Sequence, residues 1–414
     1  MKLPDSWHKR PLGELFKKIV VGYVGNVNDH YCDASRGIPF YRTLNIRDGY
    51  FRHDEIRHVT KEFNDKNKKS QIENDDIVIA RVGANLGMVC KVSGLNGMAN
   101  MANAIIIKNK SAKNASSDFY TYFLLSPYGK SQIYAGAAGG AQGVFNTKLT
   151  QEISVPVPPL PEQKKIAQIL STWDKAITTT EQLLANSQQQ KKALMQQLLT
   201  GKKRLLDKNG VRFSGEWKIS KLSELFERVT TKNNGQSTNV VTISGQHGLI
   251  RQEDFFKKTV ASETLDGYFL LKQGQFAYNK SYSNGYPMGA IKRLNRYPDG
   301  VVTTLYICFE LLDSDRANSD FWEHYFESGL LNKGLSQIAH EGGRAHGLLN
   351  VKPSDFFSLK VPTPSFEEQQ KIAAVLSTAD QEVSALQQKL EALKQEKKAL
   401  MQQLLTGKRR VLVS

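Results

Sequence analysis

Apolar residues recur along this chain in two rhythms, and the change from one to the other marks out its parts. Over 170–198 they follow a seven-residue repeat: Leu170, Trp173, Ile177, Thr180, Leu184, Ser187, Lys191, Leu194 and Leu198. The same register returns as Leu376, Ala379, Val383, Leu386, Leu390, Leu393, Lys397, Leu400 and Leu404. Heptads sustained over this length predict coiled-coil helices. Pro158, Pro159 and Pro161, then Pro362 and Pro364, suit their starts. Gly201 and Gly407, each followed by Lys or Arg, suit their ends. A helix of about 39 residues is roughly 58 Å long, more than a domain of this size is wide. The two stripes are therefore expected to pack on each other, rather than each on its own domain.

Elsewhere the period drops to two. Short alternating strands are predicted over 76–81, 88–92 and 104–108, and again over 275–280, 289–294 and 305–310, with Gly-rich turns between the first three. Each set is followed by an aromatic-rich helical stretch, 118–125 and 320–326. These are mixed α/β domains with antiparallel sheet.

The two halves repeat. Lys191-Lys-Ala-Leu-Met-Gln-Gln-Leu-Leu-Thr-Gly-Lys202 recurs letter for letter at 397–408, and without gaps 163–206 and 369–412 are identical at 25 of 44 positions. Glu162-Gln163 is answered by Glu368-Gln369, and Trp7 with Glu14-Leu-Phe16 by Trp217 with Glu224-Leu-Phe226. Between these anchors, 20–145 and 230–345 share little. The expected organisation is a first variable domain (1–150), a first repeated helix (151–207), a second variable domain (208–360) and a second repeated helix (361–414). The fold class is α+β: two mixed α/β domains joined by two long helices in an antiparallel coiled coil, a pseudo-twofold internal repeat. Pairing is assigned to Leu170, Trp173, Ile177, Leu184, Leu194 and Leu198, against Leu376, Val383, Leu386, Leu390, Leu393, Leu400 and Leu404.

Composition narrows the partner. The 414 residues carry 56 Lys+Arg against 40 Asp+Glu, a formal charge of +16, which points to a polyanion. Half of that excess, +8, lies in 1–150, so net charge argues for a phosphate backbone in the first domain alone. In the second domain basic, amide and aromatic residues cluster instead, and such groups on strand-flanking loops suit phosphate and base-edge contacts. Candidate DNA-binding residues are Arg42, Arg81, Asn85, Lys91, Gln142 and Lys148 in the first domain. In the second they are Lys280, Tyr282, Asn284, Lys292, Arg293, Arg344, His346 and Lys352. Two glycine-rich loops, 139–146 and 342–350, stand at equivalent places; each suits close approach to a phosphate or base, and equally a plain turn. No apolar run is long enough for a membrane span, and Met1-Lys-Leu-Pro-Asp5 has no apolar leader, so a cytoplasmic protein is expected. Cys32, Cys90 and Cys308 are too few and too scattered for a disulfide framework or a metal knuckle.

Catalytic patterns are missing. Gly129-Lys130-Ser131 resembles the end of a phosphate loop, but Leu125 stands where the earlier glycine belongs, so it reads as a turn after Pro127. Gly83-Ala-Asn-Leu-Gly87 is not a dinucleotide fingerprint. His53 and His58 lack further ligands, and Glu162-Gln-Lys164 fits a nuclease pair only loosely at a helix start. The Asn/Asp-Pro-Pro-Tyr motif of amino-methyltransferases is absent. No catalytic residue and no metal site is assigned.

These residues resemble the DNA-specificity subunits of type I restriction–modification systems over nearly the whole chain. The resemblance rests on the twofold plan, on Pro156-Val-Pro-Pro-Leu-Pro-Glu-Gln163 leading into Ile166-Ala-Gln-Ile-Leu170, and on the repeated 191–202 segment. Phe366-Glu-Glu368 departs from Pro161-Glu162, and a looser helix start is expected there. The resemblance implies two target-recognition domains, each reading half of a split asymmetric site, with the helices as spacer. It implies two methyltransferase subunits and translocating endonuclease subunits as partners, which use S-adenosylmethionine, ATP and Mg; this chain is expected to bind none of them. Two rivals stand beside it. A coiled-coil adaptor binding proteins would show no salt-dependent DNA affinity. A fused chain with its own methyltransferase is disfavoured by length and by the absent target-base motif.

Overall fold

In the computed structural model the described residues are 3–138, 144–245, 247–256, 264–283, 285–339 and 349–412. The strands form where apolar runs are buried on both faces. Ile77–Ala80 is completely buried, as is Ala104–Ile107. They are the middle of an antiparallel sheet ordered Ile19–Val21, Ala104–Ile107, Ile77–Ala80, Val89–Lys91. Alternation along these strands divides their side chains between two cores. Ile77, Ile79, Ile105 and Ile107 meet the aromatic helix Ser117–Leu125 through Phe119, Tyr120 and Phe123. Val78, Ala80, Ile106 and Cys90 meet Tyr41, Ile72 and Met101 of a second sheet. That sheet is ordered Arg57–Val59, Ile38–Tyr41, Ala99–Met101, Gln71–Ile72, with one parallel pairing.

The second domain repeats the central sheet in the same order: Phe226–Val229, Ile307–Leu311, Phe276–Asn279, Ala290–Arg293. Its helix-facing layer is aromatic, with Phe276, Tyr278 and Phe309 against Phe321, Trp322 and Phe326 of the helix Ser319–Glu327. On its other face stand two-stranded ribbons, Val241–Ser244 with Gly248–Arg251 and Phe269–Lys272 with Asp299–Val302, in place of a second sheet. Each domain is closed by its first strand pairing with the strand before the long helix: His8–Pro11 with Ser154–Val157, and Lys218–Lys221 with Lys360–Thr363.

The long helices span Leu160–Leu198 and Phe366–Leu404, 39 residues each. Both end on a left-handed glycine, Gly201 (φ +69°) and Gly407 (φ +70°). At Gly407 a side chain would also strike Pro4, 2.5 Å from where a Cβ would stand. The chain folds into two units, Met1–Glu181 with Lys389–Ser414, and Gln182–Gln388. Each unit holds one domain, the start of the helix that follows it and the end of the other helix. The helix segments run antiparallel in both. In the first unit Arg410 pairs with Glu162, Lys397 with Asp174 and Lys394 with Glu181. In the second Arg204 pairs with Glu368 and Lys191 with Asp380, while Ser187 donates to Glu382.

The seam is less uniform than the heptads predict. Leu170 and Leu404 are buried in the first domain's core, and Leu198 and Leu376 in the second's. Trp173, Ile177, Leu184, Leu194, Val383, Leu386, Leu390, Leu393 and Leu400 are only half-buried. Helix ends pack on domains, while further along the helices are tied to each other within each unit by pairs such as Lys394–Glu181 and Ser187–Glu382, so both alternatives posed by the sequence are met on different turns.

The Pro-Glu-Gln motif now has a physical reason. Glu162, 1% exposed, accepts Trp7 Nε1 at 3.1 Å and both Arg410 Nε and Nη2, at 2.6 and 2.8 Å. Gln163, fully buried, accepts the Ser116 amide at 2.9 Å and donates to the Asn114 and Pro158 carbonyls. Ser116 caps the aromatic helix, so this amide ties that helix to the long one. Glu368 does the same with Trp217 and Arg204, and Gln369 with Asn318, Arg316 and Pro364. The looser second start expected from Phe366 is not found, because the lock is made by the Glu-Gln pair and not by proline. The loose nuclease reading of Glu162 also falls away, since Trp7 and Arg410 occupy its carboxylate.

Candidate nucleic-acid interface

The strand Ile77–Ala80 runs out into Arg81 and a turn that returns at Val89. Leu86 N donates to Gly83 O, Met88 N to Asn85 O and Gly87 N to Ala80 O, so the turn is closed by its own backbone. Beside it lies a second turn, Thr43–Asn45. There the buried Asn45 accepts the Arg42 amide and donates to the Arg52 and Asp54 carbonyls. Asn85 Nδ2 joins the two turns by donating to Thr43 O at 3.2 Å. The chain leaving the first glycine-rich loop hooks onto the same place, with Phe145 N donating to Arg81 O at 3.2 Å. Asn146 then caps the helix Thr147–Glu152, which presents Lys148 to solvent. Arg42, Arg81, Asn85 and Lys148 are thus gathered at one end of the sheet. Arg42 donates to the Glu55 carbonyl, its Nε and that of Arg81 are buried without a hydrogen-bond partner, and neither guanidinium is paired with a carboxylate among the described residues. Guanidinium groups without a carboxylate are the groups that take phosphates and base edges.

The second unit builds the same corner from different residues. Lys280 follows the strand Phe276–Asn279 as Arg81 follows its own, and Leu349 N donates to Lys280 O at 2.9 Å as Phe145 N does to Arg81 O. Burial, and then the nearby Arg228, push the Lys280 pKa down. Arg228, exposed on an edge strand, is a basic residue the sequence reading passed over; its only signal was an alternating Phe-Glu-Arg-Val run. Tyr282 is 64% exposed, and Lys352 is exposed at the start of the helix Pro353–Ser358.

Three candidates are placed elsewhere. Lys91 pairs with Asp75 and Asp118 at the other end of the sheet; burial disfavours its charge, but those carboxylates outweigh it and raise its pKa. Arg293 is bound by Asp320 and Glu323, and Lys292, 8% exposed, by Glu327. Gln142, Asn284, Arg344 and His346, with most of both glycine-rich loops, lie outside the described residues.

Where the helix pair meets each aromatic helix, one carboxylate is shared. Tyr122 Oη donates to Asp174 at 2.6 Å, and Lys397 pairs with the same group. Burial and Asp174 together raise the Tyr122 pKa. Asp380 holds Lys191, with His324 Nδ1 at 3.6 Å, and burial holds the His324 pKa down. His53 is engaged by Tyr41 Oη and Ser93 O. Burial pushes the Cys90 and Cys308 thiols up to about 12, which makes them poor nucleophiles. Among the described residues no cluster of three His, Cys, Asp or Glu could hold a metal, and no helix is long and apolar enough to cross a membrane.

A family model described as "Type I restriction modification DNA specificity domain" matches residues 4–186 and again 214–395. The type I restriction enzyme MjaVIII specificity subunit of Methanocaldococcus jannaschii is 23% identical over 436 residues, covering 99% of this chain and 95% of that protein. Among solved structures, the type I restriction–modification S subunit from M. genitalium shares 15% identity at a TM-score of 0.55, covering 98% of each chain. The HsdS subunit from Thermoanaerobacter tengcongensis shares 16% at 0.50, covering 99% of each. At these identities the structures support the fold alone.

Proposed function

The chain belongs to the family of type I restriction–modification DNA-specificity subunits, and from that membership we propose that each unit reads one half of a split, asymmetric DNA site. The observation that carries the reading is the corner built twice. One plan, a basic residue at the end of the central strand hooked by the chain leaving the glycine-rich loop, holds Arg81 with Asn85 in one unit and Lys280 with Tyr282 in the other. Like scaffolds with unlike contact residues are what two different half-sites require. The rival adaptor reading leaves the unpaired basic residues without a use.

The specificity subunits are generally non-catalytic. We assign this chain no reaction, and place methyl transfer and cleavage on partners: two methyltransferase subunits and the endonuclease subunits, which would use S-adenosylmethionine, ATP and Mg. The near-identical helix segments suit two copies of one docking partner. The chain with a cognate methyltransferase should methylate adenine in a split site, while the chain alone transfers no methyl group. Methyl transfer by the purified chain, or DNA binding by the complex without sequence preference, would refute this.

The helices would also set the gap between half-sites. Four residues add about 6 Å of rise and some 400° of rotation, close to one base-pair step of net turn. Inserting four residues both after Glu181 and after Gln388 leaves the residues of each unit together. The preferred gap, selected from a randomised-gap library, should then lengthen by about one base pair; an unchanged gap would mean that the helices are not the spacer.

A further inference from the structure

We infer that two lysines, Lys130 in the first unit and Lys292 in the second, are positioning residues for half-site recognition, each clamping the loop that leaves the central strand without touching DNA itself. This rests on the reading that those loops face DNA.

Lys130 belongs to the Gly129-Lys130-Ser131 run that failed as a phosphate loop. It lies on the helix Pro127–Ala138 with 15% of its side chain exposed. Its Nζ donates to Gly87 O at 2.6 Å and to Asp48 Oδ1 at 2.5 Å. Asp48 Oδ1 also accepts the Val89 amide at 3.0 Å, and Gly49 N donates to Val89 O. One ammonium group and its carboxylate thus fix the returning end of the loop. Tyr134, one turn further along the helix, closes the same spot: Gly87 has φ +82°, and a Cβ there would stand 2.6 Å from the tyrosine ring. The leaving end is held by the Phe145–Arg81 backbone bond. Arg81 stands at the first anchor and Asn85 lies between the two.

Lys292 reaches a comparable result from another element. It lies on the strand Ala290–Arg293, and its Nζ donates to Gly245 O at 3.1 Å, to Tyr286 Oη at 2.9 Å and to Glu327. Tyr286 Oη in turn donates to Glu327 Oε1 at 2.6 Å. This joins the loop carrying Tyr282 and Tyr286 to a ribbon turn and to the end of the aromatic helix. An ammonium has three N–H donors, and here all three are spent inside the protein. A phosphate would find no donor left, and the charge is already matched by Glu327.

Such clamps matter through preorganisation: a loop that must be ordered at the moment of binding discriminates less for the same contacts. The test uses the full chain with its methyltransferase partner, and the variants K130M, K130R, K292M and Y286F. Sites are selected from DNA randomised in both halves, with affinity measured across a salt series. K130M should relax base preference in the first half-site only, lowering discrimination against a single mismatch by about tenfold. K292M and Y286F should do so in the second half-site only, and K130R should restore the first. The salt slope should stay as in the wild type, and amide exchange at 87–89 should quicken in K130M. The untouched half-site reports in every variant that the chain is folded. A uniform loss on all DNA with a slope shallower by about 0.9 would make the lysine a phosphate contact and overturn the inference. Unchanged discrimination in a variant would overturn it as well. A wild-type complex without half-site preference would instead refute the recognition reading from which it starts.

Discussion

Replacing Arg204 with alanine should destabilise the second unit more than replacing Glu368, although both changes break the same pair. Glu368 is 1% exposed and takes two guanidinium hydrogens and the Trp217 indole. Without Arg204 its carboxylate stays buried with the indole as its remaining donor, and stranding a buried charge costs about 3–5 kcal/mol. Without Glu368 the charge left behind belongs to Arg204, whose side chain is 20% exposed and can turn toward water. The loss is then closer to that of unmade hydrogen bonds, about 1–3 kcal/mol. Urea unfolding followed by tryptophan fluorescence separates the two, because Trp217 sits in the pair with the Arg204 guanidinium 5.7 Å over its ring. Equal losses would mean that water reaches Glu368. The pair holds the start of the helix against its domain, and through Gln369 and Asn318 the aromatic helix Ser319–Glu327.

What could be read in advance depended on how local the cause was. The middle strands were legible to within two residues from short apolar-rich runs bounded by turns, but the alternation expected of them is not what Ile77-Val-Ile-Ala80 shows, since that strand is buried on both faces. The long helices were legible from heptads and from a repeat of many residues. The second sheet of the first unit was not. Its strands are two to four residues long and pair across the chain, once in parallel, so no single segment carries the pattern. The closing strand His8–Pro11 is exposed throughout and left no apolar trace; only the repeated Trp7 with Glu14-Leu-Phe16 beside it hinted at an anchor. The candidate interface divided in the same way. Arg42, Arg81 and Asn85 are on turns that the sheet order brings together. Lys91, Lys292 and Arg293 read as free cations because their carboxylates, Asp118, Glu327, Asp320 and Glu323, come from a helix 27 to 35 residues away. Basic residues can be counted from a sequence, but their neutralisation cannot.

A fragment ending at Leu206 should form a homodimer and, with its methyltransferase partner, recognise an inverted repeat of the first half-site in place of the asymmetric site. The first unit is completed by 389–414, which supplies Lys397 to Asp174, Arg410 to Glu162, and Leu404 and Leu405 to the core, with Leu400 and Met401 packed against it. The fragment lacks all of these, yet carries Lys191, Arg204, Leu194, Met195, Leu198 and Leu199 at the corresponding repeat positions, identical in every case. A second copy can therefore complete each unit with the same side chains, and the apolar residues near Leu198 gain a core to bury in. What changes is the middle of the helices. Lys394, which pairs with Glu181 on the surface, becomes Gln188, and the Leu386 and Leu393 positions become Thr180 and Ser187. An exposed pair is worth only about 0–1 kcal/mol, but two missing leucines weaken the seam further, at up to roughly 2–3 kcal/mol each where fully buried. Since Leu386 and Leu393 are half-buried, the cost is smaller than that and does not abolish pairing. The dimer should accordingly be concentration-dependent. Light scattering across a dilution series measures it, and site selection with the partner present reads the sequence. Monomer alone at tens of micromolar, or binding confined to the original asymmetric site, would show that the repeated segments are not interchangeable.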